Sequence, residues 1–395
     1  MIELSTYRSQ FDSLKNCHYL ISNSLGAMPN QAREMVLEYV DMWRSRGVRS
    51  WHEKWWDLSR EVGNKIGALM NAPSDSVSMQ PNVTSASATV LSCFEFAPGR
   101  NKVVMVEMEF PSLLYLYRSW LAGKGQVEMI PCPDGVTAPL SRILESIDRS
   151  TQLVAISHVL FRSAYIVDAE AIISKAHEVG ALVVLDVFQS LGTIPFDVTA
   201  MDVDFVVGGC LKWLCGGPGA CFLYVRPDLN QKLKPRLTGW FGHARPFAFE
   251  TGEIDFMAGS YKYLNGTPVI PALYICRAGL DIISEIGVER IRERSTEMTT
   301  RLLSAARERG WGTTTPLKPA ERGGTVALDL PHAREIAEEL KARDFVIDYR
   351  VKAGIRISPH FYNTNEELDE TILEIEKIVD DGSFRKHLGK QTIVT

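Results

Sequence analysis

From about residue 100 to residue 226, short β-branched runs alternate with segments of helical periodicity. Lys102 to Glu107 reads as a strand and Pro111 to Leu121 as a helix. Gln152 to Ser157 is strand-like again, and Asp168 to Val179 carries an amphipathic helical pattern. Ala181 to Asp186, Asp204 to Val207 and Ala220 to Val225 follow as nearly all-apolar runs. Such runs lack the alternation of a half-solvated strand, so they indicate strands covered on both faces, as in a mostly parallel sheet between helices. The expected class is α/β, in three layers.

After Gly266 the texture changes. Pro271 to Arg309 predicts one long helix, or two joined near Gly287. A smaller α+β pattern follows, with strands at Thr325 to Leu330, Val346 to Tyr349 and Ile355 to Ser358 and helices at Ala333 to Arg343 and Asn365 to Val379. The first hundred residues are mainly helical, with an aromatic cluster at Trp43, Trp51, Trp55 and Trp56 suited to core or dimer packing. The expected division is residues 1–275, a helical segment plus a large α/β domain, and 276–395, a connecting helix plus a small α+β domain.

Composition narrows the function. The chain has 395 residues, 45% hydrophobic and 23% charged, enough to bury a substantial core. A net charge of −5 gives no general attraction to nucleic acid or anionic lipid. The 7 cysteines are scattered without a Cys-x-x-Cys pair, so neither a disulfide framework nor a metal cage is expected. No apolar stretch approaches the roughly eighteen residues needed to span a bilayer, and the first residues lack a signal-peptide core. A cytoplasmic protein without membrane or nucleic-acid partners is the expectation.

Two strand ends could carry chemistry, because open parallel sheets place ligands beyond the carboxyl ends of their strands. Ala181-Leu-Val-Val-Leu-Asp186 ends on a carboxylate, and Asp204-Phe-Val-Val-Gly-Gly-Cys-Leu-Lys212 ends on a lysine in apolar company. Taken singly, these are a cap residue and a snorkelling lysine. Together they suggest more: desolvation favours a neutral lysine amine, which condenses with an aldehyde. An acid on the neighbouring strand could keep a pyridine nitrogen protonated, the arrangement that pyridoxal 5'-phosphate (PLP) requires. Thr84 and Ser85 open a helix whose free N–H groups and hydroxyls could seat a phosphate, although a Ser/Thr cap has the same appearance. A nicotinamide fold would need a glycine-rich turn after its first strand, which is missing here.

The chain resembles fold-type-I PLP enzymes of the class V aminotransferase superfamily, and among them kynureninase. The resemblance rests on Asn23-Ser-Leu-Gly26, Arg49-Ser-Trp-His52, Phe110-Pro-Ser112 and Gly180-Ala-Leu-Val-Val-Leu-Asp186. It continues through Gly239-Trp-Phe-Gly-His243, Gly266-Thr-Pro268, Asp348-Tyr-Arg350 and Arg356-Ile-Ser-Pro-His-Phe-Tyr362. It implies Lys212 as the Schiff-base lysine, Asp186 as partner of the pyridine nitrogen, and Phe110 as the ring stacked on the cofactor. Thr84 and Ser85 would hold the phosphate, and Trp240 and Thr267 would reach it from the second subunit of a homodimer. Gln189 takes the place of a family histidine beside the cofactor. Arg356 would grip the substrate carboxylate, and Asn23, Ser24 and His243 would line the substrate site.

The departures fall on proton carriers. The tyrosine before the family lysine is Leu211 here, the Asp-x-x-His turn is Asp186-Val-Phe-Gln189, and the aspartate after Phe-Pro-Ser is Leu113. An asparagine expected after His158 is Leu160. Leucine and glutamine cannot shuttle a proton. The expected activity is therefore PLP chemistry on a free α-amino acid, kynureninase-like but diverged from true kynureninase, cleaving at Cβ by carbon–carbon hydrolysis or β-elimination. Transamination, decarboxylation and a non-catalytic binding role stay open.

Overall fold

The computed structural model describes residues 3–389. Seven strands form the central sheet, in the spatial order Val77–Gln80, Cys221–Val225, Phe205–Gly209, Leu182–Asp186, Thr151–Ser157, Lys102–Val106 and Gln126–Ile130. Pairing is parallel from Phe205–Gly209 through to Gln126–Ile130. Cys221–Val225 runs antiparallel to both of its neighbours. It returns from Phe205–Gly209 through a loop alone, and a connection without a crossover helix yields an antiparallel partner. That loop carries Lys212.

The all-apolar runs are strands with every described face covered: Lys102–Val106, Phe205–Gly209 and Cys221–Val225 are buried throughout. The helices Pro111–Leu121 and Ala169–Glu178 lie where periodicity places them. Two strands have no apolar run to announce them. Val77–Gln80 buries two polar side chains, and Gln80 is satisfied by Nε2 donating to the Tyr263 carbonyl (2.9 Å). Gln126–Ile130 is the exposed edge of the sheet and alternates in character.

Ile270–Ile286 and Val288–Glu308 are separate helices, broken at Gly287, whose φ of +85° continues no helix. The first helix and the start of the second pack into the large core through Leu280, Ile283, Val288 and Ile291. Beyond them, Met298, Leu302 and Ala306 join a second core with Val326, Ile355, Leu368 and Ile375. That core covers an antiparallel sheet ordered Asp348–Arg350, Gly354–Ile357, Val326–Asp329, Gly312–Thr313. The stretch read from sequence as one strand, Val346 to Tyr349, is divided: Phe345–Val346 pairs in parallel with His18–Tyr19, and Asp348–Arg350 pairs within the small sheet. We propose Val288–Glu308 as the joint between the two units.

The N-terminal segment therefore ties into the C-terminal unit. Leu20 donates to Val346 and accepts from Ser358, and the Ser22 hydroxyl meets the Tyr362 hydroxyl at 2.7 Å. A few residues later Gly26 donates to the Leu211 carbonyl at 3.0 Å. A Cβ on Gly26 would stand 2.1 Å from the Lys212 carbonyl oxygen, so only glycine admits this approach.

Candidate active site

The sheet reverses its strand order between Lys102–Val106 and Thr151–Ser157, the position at which open α/β sheets bind ligands. Phe110, Ser157, Asp186 and Lys212 all follow or end strands on this side. The Lys212 Nζ lies 4.7 Å from the ring centre of Phe188 and 5.6 Å from that of Phe110. Phe188 comes this close because position 209 is glycine; a Cβ there would meet the Phe188 Cζ at 2.6 Å. Burial pulls the Lys212 ammonium below its ordinary range, with Asp186 opposing and Arg356 adding to the shift. Asp186 is buried, and burial pushes its carboxyl up, against the Phe188 N–H that donates to Oδ1 at 2.8 Å and the charge of Lys212.

Arg356 is nearly inaccessible, and Asp348 fully so. Its Nε donates to Asp348 Oδ1 at 2.8 Å, its Nη2 to Asp348 Oδ2, and its Nη1 to the Phe161 carbonyl at 2.6 Å. One N–H on each Nη atom remains for another carboxylate. Gln189 is held on two sides: Nε2 donates to the Asn23 carbonyl at 3.0 Å, and Oε1 accepts from Trp213 Nε1 at 3.0 Å. The Asn23 side chain is 1% exposed, yet neither of its polar atoms has a protein partner. His158 Nδ1 is likewise buried without a partner. Burial pushes that imidazole down to about 4, with Arg292 adding to the shift. Ser24 is half-buried beside Asn23.

Thr84 and Ser85 lie in the first turn of Val83–Leu91, where the Asn82 side chain accepts from the Ser85 N–H at 2.8 Å. The helix thus carries an ordinary cap. Ser85 also lines a cavity of about 140 Å³ with Gln80, Asn265, Gly266 and Thr267. Thr267 borders a second cavity as well, of about 630 Å³, walled by Trp51, His52, Trp56, Trp240 and Phe247. Trp240 meets Trp56 edge-on at 6.0 Å, and Phe241 stacks on Trp56 at 4.7 Å. His243 Nδ1 accepts from the Arg245 N–H at 2.9 Å, which leaves the proton on Nε2, 3.8 Å from Glu250. Within one chain, then, Lys212, Asp186, Phe110, Gln189, Asn23 and Arg356 form one group. Trp240, Thr267 and His243 belong to an aromatic face with different neighbours.

A sequence model of the aminotransferase class-V family matches residues 18–371. The chain belongs to that family. It is a PLP-dependent enzyme. An uncharacterized aminotransferase, YcbU, of Bacillus subtilis is 32% identical over 93% of this chain and 96% of its own length. A kynureninase of Bacillus thuringiensis is 29% identical over 99% of this chain and 95% of its own. The apo cysteine desulfurase of Thermococcus onnurineus shares the fold, with a TM-score of 0.85 over 96% of this chain and 99% of its own, at 21% identity. The residues present suit the cofactor. Lys212 and Asp186 are desolvated neighbours, and Asn23 and His158 keep polar atoms that lack protein partners.

Several contributors carried no signal that sequence reasoning could weigh. Phe188 and Trp213 are aromatic residues among many, and each acts only through a partner brought close by folding. Asp348 had one available clue, its place in Asp348-Tyr-Arg350, but its pairing with Arg356 depends on the register of the small sheet. The cysteines are free thiols, five of the 7 buried. No metal-binding cluster is found among the described residues, and no helix among them is long and apolar enough to cross a membrane.

Proposed function

We propose that the enzyme eliminates a β-substituent from a free α-amino acid, with Lys212 moving the α-proton and Arg356 holding the carboxylate. When bound at Lys212, PLP supplies an electron sink that acidifies the substrate α-carbon. The observation that carries the reading is the fate of the missing proton carriers. Leu113 and Leu160 are buried in apolar clusters, and Gln189 is fixed to Asn23 and Trp213. Ketone hydration, which kynurenine cleavage needs, would find no proton donor at these positions.

Lys212 suits its role because burial lowers its ammonium, which keeps a neutral amine available near neutral pH. Arg356 enters already aligned by Asp348, so little side-chain entropy is lost when a carboxylate binds its remaining N–H groups. The substrate side chain would meet Trp240, Phe241 and His243 of a second subunit, since these residues pack away from Lys212 in their own chain. A homodimer with shared sites follows, and we place Ser85, Thr84 and Thr267 around the phosphate. Transamination is the second reading, favoured by the similarity to YcbU.

Mixing the holoenzyme with a panel of amino acids tests this. Release of a 2-oxo acid with ammonia and a β-leaving group, without a second amino acceptor, supports elimination. A stable pyridoxamine form points to transamination, and anthranilate release from kynurenine at enzymatic rates refutes the proposal.

A further inference from the structure

Glu109 is 1% exposed and immediately precedes Phe110, in the turn that follows Lys102–Val106. Its Oε1 accepts from the Ser157 N–H at 2.9 Å, and its Oε2 is hydrogen-bonded to the Ser157 hydroxyl. Ser157 ends the adjacent strand and is paired in register with Asp186. One carboxyl therefore bolts the turn carrying Phe110 to the strand end beside the acid. Burying a carboxyl is costly unless its hydrogen bonds are made, and here both oxygens are engaged by the same residue.

We propose that Glu109 is a positioning residue for the cofactor, clamping the Phe110 turn onto Ser157 and so fixing the stacking ring over the floor formed by Asp186 and Lys212. This rests on the reading of Lys212 as the cofactor lysine. Burial pushes the Glu109 carboxyl up to about 8, against its bonds to Ser157 and with Asp186 adding to the shift. A neutral carboxyl makes the clamp without setting a second negative charge beside Asp186. The amide of a Glu109→Gln variant can reproduce it: the carbonyl accepts the Ser157 N–H, and the NH2 donates to the Ser157 hydroxyl.

The test is PLP titration of the purified apo-protein, read by visible absorbance and by the circular dichroism induced in bound cofactor. Glu109→Ala should weaken PLP binding by about 10-fold or more and lose most of the induced signal, whereas Glu109→Gln should stay within about 3-fold of wild type. Ser157→Ala, which keeps the N–H bond, should fall between them and decides the matter if Glu109→Ala does not fold. Wild-type affinity and dichroism in Glu109→Ala, or in Ser157→Ala where only that variant folds, overturns the clamp. So does a Glu109→Gln protein as impaired as Glu109→Ala. Cofactor that borohydride still fixes covalently to the Lys212→Ala chain instead overturns the reading of the site on which the clamp rests.

Discussion

The floor around Lys212 and the aromatic face around Trp240 are built on opposite plans. On the floor, charged and polar groups on strands and on the loops that follow them each have a fixed partner: Arg356 with Asp348 through sheet register, Glu109 with Ser157 and Gln189 with Trp213 through loop packing. On the aromatic face, short turns display large rings to solvent, with Trp240 at 42%, Phe247 at 64% and Phe249 at 70% exposure. Desolvation acts on the floor, where it shifts Lys212 and Asp186 toward their neutral forms. The face offers contact area with little charge. On the proposed reading, reactivity and selection would fall on regions of different burial, and the two can be perturbed separately.

The most severe break is Lys212→Ala, which should abolish the borohydride-fixed bond between cofactor and chain and lower turnover by up to about 10⁴-fold. Retention of either would move the chemistry off the floor. Acid should also act on this side of the molecule. Burial pushes His158 and His360 down to about 4, and the Trp213 carbonyl that accepts from His360 Nε2 only partly opposes this. The fold holds both rings neutral, whereas the unfolded chain protonates them near 6.5. Their stabilising contribution is therefore complete above about 6.5 and is lost as pH falls toward 4, by up to about 3 kcal/mol each. Thermal melts of His158→Gln and wild type from pH 7 to pH 4 check this; equal acid slopes would count against it.

Arg356→Lys comes next. An ammonium cannot both chelate Asp348 and fork a substrate carboxylate, so KM should rise by roughly 10- to 100-fold while the cofactor band persists. Unchanged KM would remove Arg356 from the substrate site. The mildest change is Trp240→Ala. It should raise KM for amino acids with aromatic side chains by up to about 10-fold and leave KM for small substrates within about 2-fold. An equal effect on all substrates would erase the proposed division between floor and face.

Strand and helix assignments along the parallel part of the sheet were legible because nearly every position from Val103 to Val106, or from Phe205 to Val207, is apolar. Val77–Gln80 escaped because Ser78 and Gln80 interrupt its pattern, and their burial makes sense only with the Tyr263 carbonyl in place. In the candidate site, Lys212 and Asp186 were readable from strand-end position and from the family resemblance. Glu109 and Trp213 were not, because each acts through a partner distant in sequence, and the pairing of Asp348 with the nearby Arg356 depends on the register of the small sheet. Gln189 was visible as a substitution, but its engagement with Asn23 and Trp213 is a property of the packed loop.

The route of the N-terminal segment bears on how the molecule is made. His18–Tyr19 can complete its pairing only with Phe345–Val346, and Gly26 then lies against the backbone of Lys212. On the ribosome, residues 345–346 must emerge before this strap can close. The residues around position 18 thus wait for those around position 345, and capacity for vitamin B6 should be acquired only once the latter have emerged.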